Sequence, residues 1–230
     1  NTICFKNGNK TSFKDMKTSI GFIWVTIWIT QESFIDKFKT ILESNEYIYP
    51  SINGDLYMNT LTIGIPSKTS KYARTELREC NNGKKVFWDS DNGTKVLSVV
   101  LSIETLPKII QSTMFIQVKL KGDGAGLMAF LRKSLVYIRY RIGNQTERIT
   151  VDTNYKLGTK FRFTVVVSNN TVKFYYYKRG YSYNNGYKLK FKDAYFKVGN
   201  YIQSPPENET NYTTRVIIYD IEKSVAQTHN

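Results

Sequence analysis

Tyr195-Phe196-Lys197-Val198-Gly199-Asn200-Tyr201-Ile202-Gln203 sets Tyr195, Lys197, Tyr201 and Gln203 at even spacing. Period two is strand period, so these four side chains share one face of an extended segment. Two other segments repeat the pattern. Arg74, Glu76 and Arg78 alternate in Arg74-Thr75-Glu76-Leu77-Arg78, and Gln117 and Lys119 alternate in Gln117-Val118-Lys119. If the three strands are neighbours, their faces merge into one site of guanidinium, ammonium, amide and phenol groups around a single carboxylate. Such a surface suits an anionic, hydroxyl-rich ligand better than it suits a core.

Outward from these segments the chain reads as strands and turns. Asp55–Ile65, Leu97–Ile103, Met114–Leu120, Leu135–Arg141, Arg162–Val167, Val172–Tyr177, Ala194–Tyr201 and Arg215–Ile221 are rich in β-branched and aromatic residues. Asn53-Gly54, Asn82-Gly83, Asn92-Gly93 and Asn185-Gly186 supply turn signals between runs. Ile20–Thr30 is the most apolar run; it is too short to cross a bilayer and reads as a buried strand. One short helix is expected near the N-terminus, from Glu32 to Glu43, where Phe34, Ile35, Phe38, Ile41 and Leu42 recur at helical spacing. No internal repeat or interdomain linker interrupts the 230 residues, and Pro205-Pro206-Glu207-Asn208 is only a loop between strands. The expectation is an all-β, antiparallel two-sheet β-sandwich of jelly-roll type, forming a single domain over residues 1–230.

The three segments also carry a family likeness. Arg-Thr-Glu-Leu-Arg-Glu at 74–79, the Gln117-Val118-Lys119 triplet and Tyr-Phe-Lys-x-Gly-x-Tyr-x-Gln at 195–203 resemble the signature blocks of the polysaccharide lyase family seven alginate lyases, in order and spacing. Gly54-Asp55-Leu56-Tyr57 through Ser70-Lys71-Tyr72 and Trp24-Val25-Thr26-Ile27-Trp28 resemble flanking family strands, so the likeness spans about residues 20 to 225. One position departs. The family's middle block normally ends in histidine, where this chain has Lys119. The resemblance implies a jelly roll with substrate lying in a groove across the concave sheet. It assigns Tyr201 as the catalytic tyrosine, Arg74 and Gln117 as carboxylate-binding residues, and Arg78 and Lys197 as substrate-contacting or site-shaping residues.

Composition agrees with an anionic partner. The formal charge is +14, the pI is near 9.6, and 41% of residues are hydrophobic. That excess of Lys and Arg favours acidic polysaccharide, nucleic acid or anionic membrane. No RNA-binding or zinc-knuckle pattern accompanies it, so neither nucleic acid nor membrane is expected as partner. The remaining candidate is an acidic polysaccharide such as alginate or glucuronan, bound by a monomer. Tyr175-Tyr176-Tyr177 and Tyr181-Ser182-Tyr183 are candidates for the rim of its groove, or ordinary strand aromatics.

Absent residues narrow the chemistry. The only histidine is His229, which excludes Ser-His and Cys-His catalytic pairs and, with two cysteines in all, a zinc centre; no cofactor or metal is expected. Glycoside hydrolysis normally uses two carboxylates flanking the bond, whereas the blocks offer Glu76 alone, between Arg74 and Arg78, where it fits an ion-pairing role. β-Elimination instead needs a neutraliser for the uronate carboxylate, a base for the C5 proton and an acid for the C4 oxygen. Arg74, Gln117 and Lys119 suit the first task. Tyr201 suits proton exchange, provided that nearby cations lower its pKa from about 10. Glu76, Arg78, Tyr195, Lys197 and Gln203 complete the substrate-facing set. In mannuronate- and glucuronate-type units the C5 proton and C4 oxygen lie on one side of the ring, so one tyrosine can serve twice. A charged lysine at 119 therefore favours syn elimination on those linkages. The rival reading is a non-catalytic binding module for acidic glycans.

Cys4 and Cys80 can close one disulfide in an oxidising compartment or remain two buried thiols. Sequons at Asn9, Asn92, Asn144, Asn169, Asn208 and Asn211 exceed the roughly three that this composition would give by chance. They point to a secreted glycoprotein whose leader peptide has been removed.

Overall fold

The structure, a computed structural model, describes residues 2–5, 47–50, 55–66, 71–81, 84–122, 124–142 and 145–226. The expected helix at Glu32–Glu43 and the strand at Ile20–Thr30 lie outside them. Fifteen strands are present among the described residues. They are β1 (Thr2–Phe5), β2 (Ile48–Pro50), β3 (Leu56–Leu61), β4 (Arg74–Asn81), β5 (Lys84–Lys85), β6 (Thr94–Ile103), β7 (Ser112–Leu120) and β8 (Ala125–Arg132), followed by β9 (Leu135–Ile142), β10 (Gln145–Asp152), β11 (Phe161–Ser168), β12 (Thr171–Lys178), β13 (Tyr181–Lys188), β14 (Ala194–Ile202) and β15 (Thr213–Ala226). A 3-10 turn at Pro206–Asn208 occupies the loop before β15.

These strands form two sheets. The first runs β1-β4-β14-β7-β8-β9-β10, with β5 paired to β4, and the second runs β13-β12-β11-β6-β15-β3-β2. Pairing is antiparallel throughout except between β1 and β4, which run parallel. The all-β, two-sheet jelly roll expected from the alternation is what forms.

Alternation explains the core. In β11 every second residue is buried, so Phe161, Phe163, Val165 and Val167 point inward, joined by Leu97, Val99, Leu101 and Ile103 of β6. Phe115, Ile116 and Val118 of β7 and Phe196 and Val198 of β14 meet them from the other sheet. Phe115 packs edge-on against both Phe161 and Phe163, with centroids 5.3 and 5.5 Å apart. A polar node crosses the same interface. Asn200 accepts from Thr113 Oγ1 at 2.8 Å and donates to Thr214 Oγ1 at 2.9 Å, while its carbonyl accepts from Thr60 Oγ1 at 2.9 Å. It is fully buried with its amide paired, which fixes β14 against β3, β7 and β15.

Two local readings are corrected. Asn185-Gly186 is not a turn but lies inside β13, with Gly186 paired to Lys173. β13 is an edge strand with largely exposed residues, so little apolar patterning marks it as a strand. The strand expected over Asp55–Ile65 ends at Leu61, where Gly64 N–H closes a turn onto the Leu61 carbonyl at 2.9 Å.

Candidate active site

β14 lies between β4 and β7, so the three patterned segments are adjacent. Lys197 pairs with Arg78 on one side and Gln117 on the other; Tyr201 pairs with Arg74 and Met114; Tyr195 pairs with Lys119. Register partners share a sheet face, so Arg74, Glu76, Arg78, Gln117, Lys119, Tyr195, Lys197 and Tyr201 converge on the face turned away from the core.

Glu76 is the centre of this face and is 2% exposed. Gln117 Nε2 donates to its Oε1 and Lys197 Nζ to its Oε2, while Arg74 Nε stands 3.6 Å from Oε2. Burial pushes the Lys197 ammonium below the usual lysine value, opposed by the Glu76 carboxylate beside it. Backbone geometry makes the cluster possible. Gly199 is the β14 partner of Glu76, and a Cβ there would stand 2.3 Å from the Thr75 carbonyl oxygen and 2.8 Å from Glu76 Cα. Only glycine permits that approach.

Around this centre the cations are held by aromatic rings. The Arg74 guanidinium lies 5.2 Å from the Tyr201 ring centroid, and that of Arg78 lies 3.4 Å from Tyr195 and 5.1 Å from Phe87. Arg78 is buried, and its Nε and Nη2 have no hydrogen-bond partner among the described residues. Arg74, Lys119 and Tyr201 are half-buried. Among the described residues no group of three His, Cys, Asp or Glu side chains could hold a metal ion.

Several placements differ from the sequence reading. Glu76 is paired with Arg74, Lys197 and Gln117; Arg78, expected as a second ion-pair partner, instead lies over the Tyr195 ring with Phe87 beside it. Gln203 lies just beyond β14, and its amide donates to the Tyr201 and Ile202 carbonyls at 3.2 and 3.1 Å, serving the local backbone. The tyrosine-rich stretches do not border this face, because β12 and β13 belong to the second sheet.

The register also brings in residues that the sequence reading misses. One row crosses six strands as Arg78, Lys197, Gln117, Met128, Arg139 and Arg148. A parallel row reads Arg74, Tyr201, Met114, Phe130, Tyr137 and Thr150. Phe130 and Tyr137 stack at 4.9 Å, and Arg148 covers Tyr137 at 4.0 Å. The basic and aromatic surface thus continues well beyond the three segments. Alternation within β9 and β10 hints at these residues, but only the strand order makes them neighbours of the site.

A fold of this type, with a cationic face built around one buried carboxylate and a tyrosine, is that of a polysaccharide lyase, and sequence comparison agrees. The family profile described as alginate lyase matches residues 31–225, so the chain belongs to the alginate lyase family. Among solved structures it is similar to the alginate lyase AlgAT5 from polysaccharide lyase family 7, at 26% identity and TM-score 0.71, covering 79% of this chain and 83% of that one. It is similar in fold to the alginate lyase from a Corynebacterium species, at 24% identity and TM-score 0.70, covering 79% and 82%. Alginate lyase A1-II′ of family 7 is also similar in fold, at 21% identity and TM-score 0.63, covering 80% and 85%. Comparison with curated proteins finds no match.

Proposed function

We propose that this lyase acts by syn β-elimination, cleaving alginate at mannuronate-type linkages or glucuronan at glucuronate-type linkages of the same stereochemistry. Arg74, Gln117 and Lys119 neutralise the uronate carboxylate, which acidifies the C5 proton and stabilises the enolate-like transition state. Tyr201 removes that proton. As the C5–H pair becomes the C4=C5 double bond the C4–O bond breaks, and Tyr201 returns its proton to the leaving oxygen.

The observation that carries this reading is the register of Tyr201 with Arg74, one row from the Gln117–Glu76–Lys197 network. Proton carrier and carboxylate binders share a face, and Glu76 holds Arg74 and Gln117 in place. Gln117 uses one amide hydrogen on Glu76 and keeps a second for a ligand. Arg78, buried against Tyr195 beside Lys197, shapes the site and adds to its positive charge. Family 7 alginate lyase A1-II′, similar in fold, has been solved with the substrate GGMG and with the product GGG. Secretion is part of the proposal: Cys80 is disulfide-bonded, and Asn92, Asn169, Asn208 and Asn211 are exposed.

The test is formation of unsaturated product, followed by absorbance, from polymannuronate, polyguluronate and glucuronan. Cleavage of polymannuronate or glucuronan with polyguluronate left intact is expected. Lys119→His should extend cleavage toward guluronate, because imidazole can accept a proton near neutrality. Lys119→Met should abolish turnover. Efficient cleavage of polyguluronate by the unaltered protein, or full activity in Lys119→Met, would overturn the mechanism.

A further inference from the structure

We infer that the outward face of β11–β13, centred on Tyr175 and Tyr177, is a second binding surface for acidic polysaccharide, on the opposite sheet from the candidate active site. It rests on the substrate class proposed above, and its argument is independent of the catalytic residues.

The starting point is a difference within β12. Val172, Phe174 and Tyr176 are at most 1% exposed and fill the core, whereas Tyr175 and Tyr177 between them are 44% and 59% exposed. Core packing accounts for the first set and not for the second. Two large rings on one strand face stand about 7 Å apart and form an exposed aromatic platform on which sugar rings can stack. Register places Tyr175 between Thr164 and Asn184, and Tyr177 between Arg162 and Ser182. The tyrosines are therefore flanked by hydroxyl, amide and guanidinium groups.

Beside Tyr175 lies an open cleft of about 470 Å³, lined by Lys173, Asn184, Asn185, Gly186 and Lys188 among others. Gly186 keeps its floor low, since a Cβ there would stand 3.0 Å from Lys173 Cγ. An aromatic wall with amides and two ammonium groups offers stacking, hydroxyl recognition and carboxylate pairing together.

Charge selects the occupant. No Asp or Glu occurs between Asp152 and Asp193, a stretch that contains nine Lys and Arg residues. The nearest carboxylates in register on this face, Asp220 and Glu222, belong to β15, three strands from β12. A polyanion with sugar rings matches both the charge and the exposed phenols, whereas a purely electrostatic ligand leaves the phenols unused. With one binding face on each sheet, a long chain can engage both, raising retention without changing chemistry at the site.

The test is affinity electrophoresis through gels containing sodium alginate at fixed salt, in a Tyr201→Phe background so that the gel is not digested. Tyr175→Ala/Tyr177→Ala and Lys173→Gln/Lys188→Gln should each raise the apparent dissociation constant for alginate at least five-fold. In the active background the same pairs should keep kcat/KM on short mannuronate oligomers within two-fold, which also reports that they fold. Unchanged retardation of the tyrosine pair overturns the second surface and, if the parent still cleaves alginate, leaves the proposed function standing. A parent that neither cleaves nor is retarded by alginate overturns both. Retardation lost only in the lysine pair, and equally in gels containing single-stranded DNA, replaces the proposal with general polyanion attraction. A dimer that the tyrosine pair abolishes, with alginate retardation intact, replaces it with self-association.

Discussion

The Tyr201 ring packs against the cluster of Met114, Phe130 and Tyr137, and the Arg74 guanidinium lies over it. Phenylalanine at this position keeps those ring contacts. Tyr201→Phe should keep substrate binding and the unfolding midpoint, and lose about 10²–10⁴-fold in turnover if it is the proton carrier; activity within a few-fold of the parent would reject that role. Arg74→Ala and Gln117→Ala should lower kcat more than they raise KM, because contacts to the carboxylate strengthen as charge moves onto it. Steady-state kinetics of both variants separate this from simple binding. At this scale the sequence is informative wherever alternating residues belong to one strand. It does not show that Arg78 lies against both Tyr195 and Phe87, since Phe87 lies outside every alternating segment.

Strand β14 positions more of the site than any other element. Its inner face carries Asn200, bonded to residues of β3, β7 and β15, and its outer face carries Lys197 and Tyr201 on either side of Gly199. Gly199→Ala forces a methyl group into the Thr75 carbonyl, and is expected to cost at least about 1–3 kcal/mol in urea unfolding while lowering turnover through displacement of Glu76. Asn200→Leu leaves buried Thr113 and Thr214 hydroxyls short of partners and should cost about 1–3 kcal/mol by the same measurement. Period-two spacing gives the face of a strand but not the sheet to which it belongs. Hence Arg74, Gln117 and Tyr201 do share a face, while Tyr175 and Tyr177, equally well patterned, lie on the other sheet. β8, β10 and β13 escape the sequence reading. β13 is an exposed edge, and Gly126 in β8 lies where a Cβ would stand 2.3 Å from the Phe191 ring, so packing demands a residue of low strand propensity.

For the molecule as a whole, buried phenols set the alkaline limit. Burial raises Tyr155 and Tyr176 well above ordinary tyrosine, the nearby Asp152 carboxylate adding to the effect at Tyr176, and burial with Glu209 nearby takes Tyr212 up to about 12. The folded state keeps these protons where the unfolded chain has begun to release them. Their stabilisation is complete below about pH 10 and is lost as pH climbs through the folded values, so the melting temperature should fall steeply above pH 10. Flat melting temperatures from pH 9 to 11.5 would contradict this. The parallel pairing of β1 with β4 has another consequence. β4 carries Arg74, Glu76 and Arg78, and without β1 its main-chain N–H and C=O groups from Glu76 to Glu79 would form a bare sheet margin. Cys80 on β4 is disulfide-bonded, and the chain's other cysteine, Cys4, belongs to β1. A thiol reductant would thus release a guard against intermolecular strand addition, so reduced protein should precipitate on storage before it loses its core.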